Sequence, residues 1–176
     1  LDSNKHPVES PGRARRKYKW GLPTGKPKTS RHSEAEQIAR TVAEGLGVSG
    51  VMAVELFELP SGEILVNELA MRPHNSGHFS IDASITSQFE QHLRAVLDLP
   101  LGDTSSTSSY AVMINLLGVD SENDFVRHYP IAMDKFPQVK FHLYEKAPRQ
   151  GRKMGHLTLQ GENLNELLAA GKACRE

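Results

Sequence analysis

Residues 67–78 read NELAMRPHNSGH. Asn67, Glu68, Arg72, His74, Asn75, Ser76 and His78 are crowded into this stretch, directly after an apolar run. The chemistry such a set can do is anion chemistry. The guanidinium of Arg72 is a planar fork that fits carboxylate, phosphate or bicarbonate. His74 and His78 can exchange protons near neutral pH or donate to an oxyanion. Asn75, Ser76 and the backbone N–H groups of a loop can cradle an anion. Glu68 offers hard oxygen ligands of the kind magnesium takes, one or two carboxylates alongside substrate phosphates. Two histidines four apart also raise zinc, but no third ligand of suitable spacing and no HExxH pattern accompanies them, so zinc is not expected.

A second cluster lies at EKAPRQGRKMGH, residues 145–156, with Lys146, Arg149, Arg152 and Lys153 inside eight residues. A basic turn by itself is most simply a solvated turn. Beside the first cluster it would supply the positive wall of a pocket for a phosphorylated substrate.

The elements that must hold these groups are legible in outline. VMAVELFEL (51–59) and EILVNEL (63–69) read as two strands of a hairpin, turned at Pro60, Ser61 and Gly62. A turn centred there sets Glu55 opposite Glu68, Phe57 opposite Val66 and Leu59 opposite Ile64. Opposed like charges at the end of an apolar strip are destabilising, so a cation between the two glutamates, or a raised pKa on one of them, is expected to compensate. Before the hairpin, Ser33 and Glu36 read as a capping box opening a helix with Ala35, Ile38, Ala39, Val42, Ala43 and Leu46 on one face. After it, residues 70–82 read as a long polar loop and ITSQFEQHLRAVLDL (85–99) as an amphipathic helix. DTSSTSS (103–109) reads as a linker. YAVMINLLG (110–118), VKFHLY (139–144) and MGHLTLQG (154–161) read as strands, and ENLNELLAAGKA as a closing helix.

Composition sets the outer bounds. The 176 residues carry 21 Lys or Arg and 21 Asp or Glu, so overall charge does not point to nucleic acid. The balance hides an asymmetry: residues 1–31 hold nine basic residues against two acidic ones and read as a basic, solvated leader. Its GLPTGKPKTS is not a phosphate-binding P-loop, because the glycine spacing is one short and Pro27 follows Lys26 where Ser or Thr should stand. The one cysteine, Cys174, fits a reducing compartment. No apolar run reaches the ~20 residues of a membrane span and no signal peptide is visible. A cytoplasmic protein with no membrane partner is expected.

GVMAVELFEL, VNELAMRPHNSGH, TSQFEQHLRAV, INLLG and GRKMGH together resemble the C-terminal half of the N5-carboxyaminoimidazole ribonucleotide synthases, ATP-grasp enzymes of de novo purine biosynthesis. The resemblance runs from about Ser33 to about Leu159. It implies an α+β fold: the C-terminal part of an ATP-grasp domain over 32–102, antiparallel hairpin plus helices, then a small, mostly β subdomain over 103–176. It implies ATP-dependent carboxylation of 5-aminoimidazole ribonucleotide with bicarbonate, with ATP and Mg2+ as cofactors. By position it implies Glu55 and Glu68 as magnesium ligands and Asn67 and Glu68 beside the ATP phosphates. It implies Arg72, His74, Asn75, Ser76, Arg152 and Lys153 around ribonucleotide and bicarbonate, with His74, Arg72 and Lys153 nearest the chemistry.

Family members are considerably longer, with an N-terminal Rossmann-like domain and a lid that have no counterpart in these residues. Met71 and Gln150 stand where many members have proline. The expectation is therefore half an active site that binds nucleotide weakly alone. A missing N-terminal ATP-grasp half, or further copies of this chain, would complete it. The competing reading is a non-catalytic ATP-grasp remnant serving as an interaction module. A related ligase with another acceptor is a third, against which the identity of the RPHNSGH loop argues.

Overall fold

The computed structural model describes residues 30–118 and 125–174. The expected basic leader lies outside the described residues except for its last two, which fall within helix α1 (Ser30–Gly45). That helix is already under way at Ser33, so Ser33 is a first-turn residue and not the cap the sequence pattern indicated. Its stripe of Ala35, Ile38, Ala39, Val42 and Ala43 is half-buried and α1 packs on the first strand, as the periodicity required, whereas Leu46 is exposed.

Strands β1 (Ala53–Glu58) and β2 (Ile64–Ala70) form the antiparallel hairpin. Glu55 does pair with Glu68, but beyond it the register differs from expectation: Leu56 faces Val66, Phe57 faces Leu65, and Glu58 faces Ile64. The cause is a β-bulge. Between the pairs Glu55–Glu68 and Leu56–Val66, β2 carries one extra residue, Asn67, which no turn-based count of register reveals.

The expected polar loop over 70–82 is more ordered than its composition indicated. It holds a 3-10 turn, Asn75–Gly77, and the short helix α2 (Ser80–Ala83). Helix α3 (Gln88–Val96) starts later than residue 85, because Ile85 N–H is bound to Ser105 O at 3.0 Å and Ser87 is the N-cap, accepting from Glu90 N–H at 3.2 Å. The stretch 103–109 is tied down: Ser106 forms a bridge with Ser84, and Thr107 N–H donates to Ala83 O.

Strands β3 (Tyr110–Leu117), β4 (Lys140–Leu143) and β5 (Lys153–Gly161) make an antiparallel sheet with β5 central. Helix α4 (Phe125–Lys135), with Pro130 inside it, was not anticipated; α5 (Leu164–Ala173), capped by Asn163, was. The core lies where this sheet meets α5: Val112, Leu116, Leu157, Leu159 and Leu167 are buried together, with Val139 beside them. Residues 154–159 of β5 are all buried, so both faces of this strand are covered. Leu157 and Leu159 take the core face. By alternation, Met154, His156 and Thr158 take the face toward α2. The α+β expectation holds: helices flank two small antiparallel sheets.

Candidate active site

The bulge in β2 is the first device of the site. It leaves Asn67 outside the pairing, and the Asn67 Nδ2 reaches Glu55 Oε2 at 3.3 Å. The other oxygen, Glu55 Oε1, lies 3.0 Å from His74 Nε2. The tautomer of His74 follows from its surroundings. Ser76 N–H, a fixed donor, points at His74 Nδ1 at 3.3 Å, so Nδ1 accepts and Nε2 carries the proton that it gives to Glu55. Ser76 Oγ sits 2.9 Å from the same Nδ1. The two opposed carboxylates are thus eased on the Glu55 side by two donors. They are not buried as the sequence indicated: the Glu55 side chain is 41 % exposed and Glu68 is exposed.

The loop carrying His74 is held from α3. Gln88 Oε1 accepts from His74 N–H at 2.9 Å, Gln88 Nε2 donates to His74 O at 2.8 Å, and the same nitrogen lies 2.7 Å from His78 Nδ1. Ser80 Oγ donates to Gly77 O at 2.5 Å and accepts from Gln88 N–H at 2.9 Å. Asn75 Oδ1 is buried without a protein partner. Arg72 is exposed and folds back on the carbonyl of Pro73 at 3.1 Å.

His78 joins this loop to the three-stranded sheet. Its ring lies 5.3 Å from Phe89, 5.4 Å from His156 and 6.3 Å, edge-on, from Tyr144. Burial, and then the charges of Lys153, His74, Arg72 and His142, pull its pKa down to about 4, so it is neutral at pH 7. His156 is 1 % exposed and stacks on His142 with ring centres 4.6 Å apart and planes 16° from parallel. Its Nδ1 is 2.6 Å from the Tyr144 hydroxyl, while its Nε2 is buried without a protein partner. His142 Nε2 in turn meets Asp82 Oδ2 of α2 at 2.8 Å.

The basic turn arrives from the other side. Lys146 Nζ and Lys153 Nζ lie 5.0 and 5.6 Å from the centre of the Tyr144 ring. Burial, then Lys146, pull the Lys153 amine down. Arg152 closes its own turn, donating to Ala147 O at 3.1 Å. The two clusters therefore do converge, through Lys153, Tyr144 and His156 on one side and His78 and His74 on the other. Asn67, Glu55, His74 and Ser76 are joined by hydrogen bonds. Among the described residues, Arg72 and Arg152 turn their guanidinium groups to nearby carbonyls, although the charge of Arg72 is felt at His78.

Sequence reasoning gave no role to Gln88, Asp82, His142 or Tyr144. Alternation in MGHLTLQ could have set His156 on the face opposite Leu157 and Leu159, but nothing local marks its partners. As for metal, among the described residues no three His, Cys, Asp or Glu cluster as ligands. Glu55 and Glu68 as cross-strand carboxylates fit a magnesium ion that completes its shell with water and phosphate oxygens.

Residues 14–89 match the ATP-grasp domain, and residues 111–170 match the phosphoribosylaminoimidazole carboxylase C-terminal domain. The N5-carboxyaminoimidazole ribonucleotide synthase of Mycobacterium leprae is 51 % identical over 136 residues, covering 73 % of this chain and 30 % of the relative. That of Escherichia coli is 43 % identical over 141 residues, covering 80 % and 37 %. The crystal structure of the N5-carboxyaminoimidazole synthase of Aspergillus clavatus in complex with ADP and 5-aminoimidazole ribonucleotide superposes with a TM-score of 0.76 at 31 % identity, over 88 % of this chain and 42 % of that one. The chain thus spans about a third of the length of these curated relatives. It belongs to the N5-carboxyaminoimidazole ribonucleotide synthase family of ATP-grasp proteins and corresponds to the C-terminal part of such an enzyme.

Proposed function

We propose that the chain forms the metal- and acceptor-binding part of an ATP-dependent carbon–nitrogen ligase of de novo purine biosynthesis. In the reaction, the γ-phosphoryl of ATP passes to bicarbonate to give carboxyphosphate and ADP. The exocyclic amine of 5-aminoimidazole ribonucleotide then takes the carboxyl carbon and phosphate leaves, giving N5-carboxyaminoimidazole ribonucleotide. The observation that carries this reading is the 3.0 Å contact of His74 with Glu55, which joins the acceptor loop to the carboxylate hairpin in one site.

Glu55 and Glu68 would hold magnesium, with Asn67 beside the phosphates. Bound there, the ion would neutralise charge on the phosphate oxygens. Arg72, His74, Asn75 and Ser76 face bicarbonate and ribonucleotide. Lys153 and Arg152 supply positive charge from the opposite wall, where a partly desolvated Lys153 stabilises an anion more strongly than it would in water. Carboxyphosphate has to be kept from water, and the covered faces of His78, His156 and Tyr144 support that need. The Aspergillus clavatus protein, crystallised with ADP and 5-aminoimidazole ribonucleotide, supports the choice of nucleotide and acceptor. The single cysteine supports a reducing, cytoplasmic setting.

The test is phosphate release in magnesium, ATP and bicarbonate, with and without 5-aminoimidazole ribonucleotide. Release that depends on the ribonucleotide, from the chain alone or after adding an N-terminal ATP-grasp fragment, is expected, and Glu68→Gln should abolish it. Silence in both mixtures would sink the carboxylase reading in favour of an interaction module.

A further inference from the structure

We propose that Gln88 is a positioning residue for His74 and that it fixes the tautomer of His78. The inference rests on the reading above for why His74 matters, but its structural part stands on hydrogen-bond logic alone.

A glutamine amide can be turned either way, and an imidazole can carry its proton on either nitrogen. Here one fixed donor settles both. The backbone N–H of His74 can only donate, so the atom 2.9 Å from it is the amide oxygen of Gln88. The other amide atom must then be the NH2 group. One of its hydrogens goes to His74 O at 2.8 Å. The second points at His78 Nδ1, 2.7 Å away, and that nitrogen must therefore accept. His78 is held as the Nδ1-bare, Nε2–H tautomer. Its depressed pKa agrees, since a protonated ring would set N–H against N–H there.

The amide thus clamps the main chain of His74 at both its N–H and its C=O, on the residue whose imidazole meets Glu55. The fit is close. A Cβ added at Gly77 would come within 2.5 Å of Gln88 Oε1, so any side chain there would push the amide off the His74 main chain. The Gln88 backbone N–H is separately anchored on Ser80 Oγ, which fixes the point from which the side chain reaches. Without the clamp, the loop would keep its turn at Asn75–Gly77 but lose the register that brings His74 Nε2 to Glu55.

The experiment uses the full chain, with ring 15N shifts of His74 and His78 recorded near pH 7. The wild-type chain should show His78 with Nδ1 unprotonated. Gln88→Glu keeps an acceptor for His74 N–H but removes both donors, so His78 should switch to the Nδ1–H form. In the phosphate-release assay the same variant should lower kcat by about tenfold or more, with KM for the ribonucleotide changed by no more than about twofold. Wild-type His78 found protonated on Nδ1 would overturn the proposal without any variant. So would an unchanged His78 tautomer in Gln88→Glu. A switched tautomer with full kcat would overturn the positioning role. Absence of turnover in every mixture of the unsubstituted chain counts against the carboxylase reading, and the 15N comparison then decides the assignment of Gln88 by itself.

Discussion

His156 has its ring between a carboxylate-bound imidazole and a tyrosine hydroxyl, and it is shut off from water. Burial first, then the charges of His142, His78 and Lys153, hold its pKa at about 4; Asp82 pulls the other way and does not prevail. His78 is held at about 4 as well, facing Lys153, His74, Arg72 and His142. Both folded values lie below the ordinary 6.5, so between pH 6.5 and 4 the unfolded chain binds more protons than the folded one. The stabilisation is complete above pH 6.5 and is lost as the pH falls through 4. For His156 the shift corresponds to on the order of 3 kcal/mol. The thermal midpoint is expected to fall steadily from pH 7 to pH 4.5. His156→Gln should lower the midpoint at pH 7 and flatten its slope with pH. A midpoint constant over that range would refute the account. At this scale the sequence exposed the residues that cluster locally. Glu68, Arg72, His74 and Ser76 announce themselves by crowding. Asp82 on the one hand, and His142 and Tyr144 on the other, are ordinary residue types in two separate stretches, and only the packing of α2 on the sheet gives them meaning.

Helix α3 works as a clamp made of side chains. Gln88 takes the main chain of His74, and His92 Nδ1 accepts from Val51 N–H at 3.1 Å, on the approach to β1. Gln91 takes Gly102 at both ends, donating to its O at 2.9 Å and accepting from its N–H at 2.8 Å. Three residues of TSQFEQH therefore each secure a different segment, which is a physical reason for a motif that amphipathicity alone would not require. Gln91→Leu removes both bonds and leaves the N–H and C=O of Gly102 to find water. A loss of about 1–3 kcal/mol is expected in urea unfolding, with the slope on denaturant unchanged. A loss below a few tenths would mean that Gly102 is held by other contacts. A Cβ at Gly102 would also run into the buried Thr86 side chain, so Gly102→Ala should destabilise through the same joint. Elements were legible where period and turn chemistry agreed, as in the hairpin, β3 and α5. They were misread where a tertiary hydrogen bond set the boundary, as at Ile85, or where an extra residue entered a strand, as at Asn67.

At the scale of the molecule, the hairpin is the part whose surface is least accounted for by the described residues. β1 and β2 form a two-stranded sheet with no third strand among them. By the bulged register Val66 and Leu69 fall on one face, opposite Leu56 and Val54, and they are 48 % and 40 % exposed. Helix α3 and the turn after it add Leu93, Val96, Leu97, Leu99 and Leu101, all exposed between 47 % and 68 %. Exposed apolar surface of this extent, with hairpin edges that no other described strand pairs, favours association. In sedimentation velocity the chain is expected to shift to larger species as concentration rises. Val66→Thr with Leu69→Thr should reduce that shift, because both changes place a strand-favouring β-branched residue at the position and remove apolar surface from one face. The helix surface gives an internal comparison: Leu97→Gln with Leu101→Gln should act independently of the strand pair if the two patches meet different neighbours, and less than additively if they meet the same one. A single monomeric species at every concentration, with a sharp thermal transition, would mean that the hairpin is stable with its faces in water. The mixed α1–hairpin contact would then be enough to hold the carboxylate pair in place.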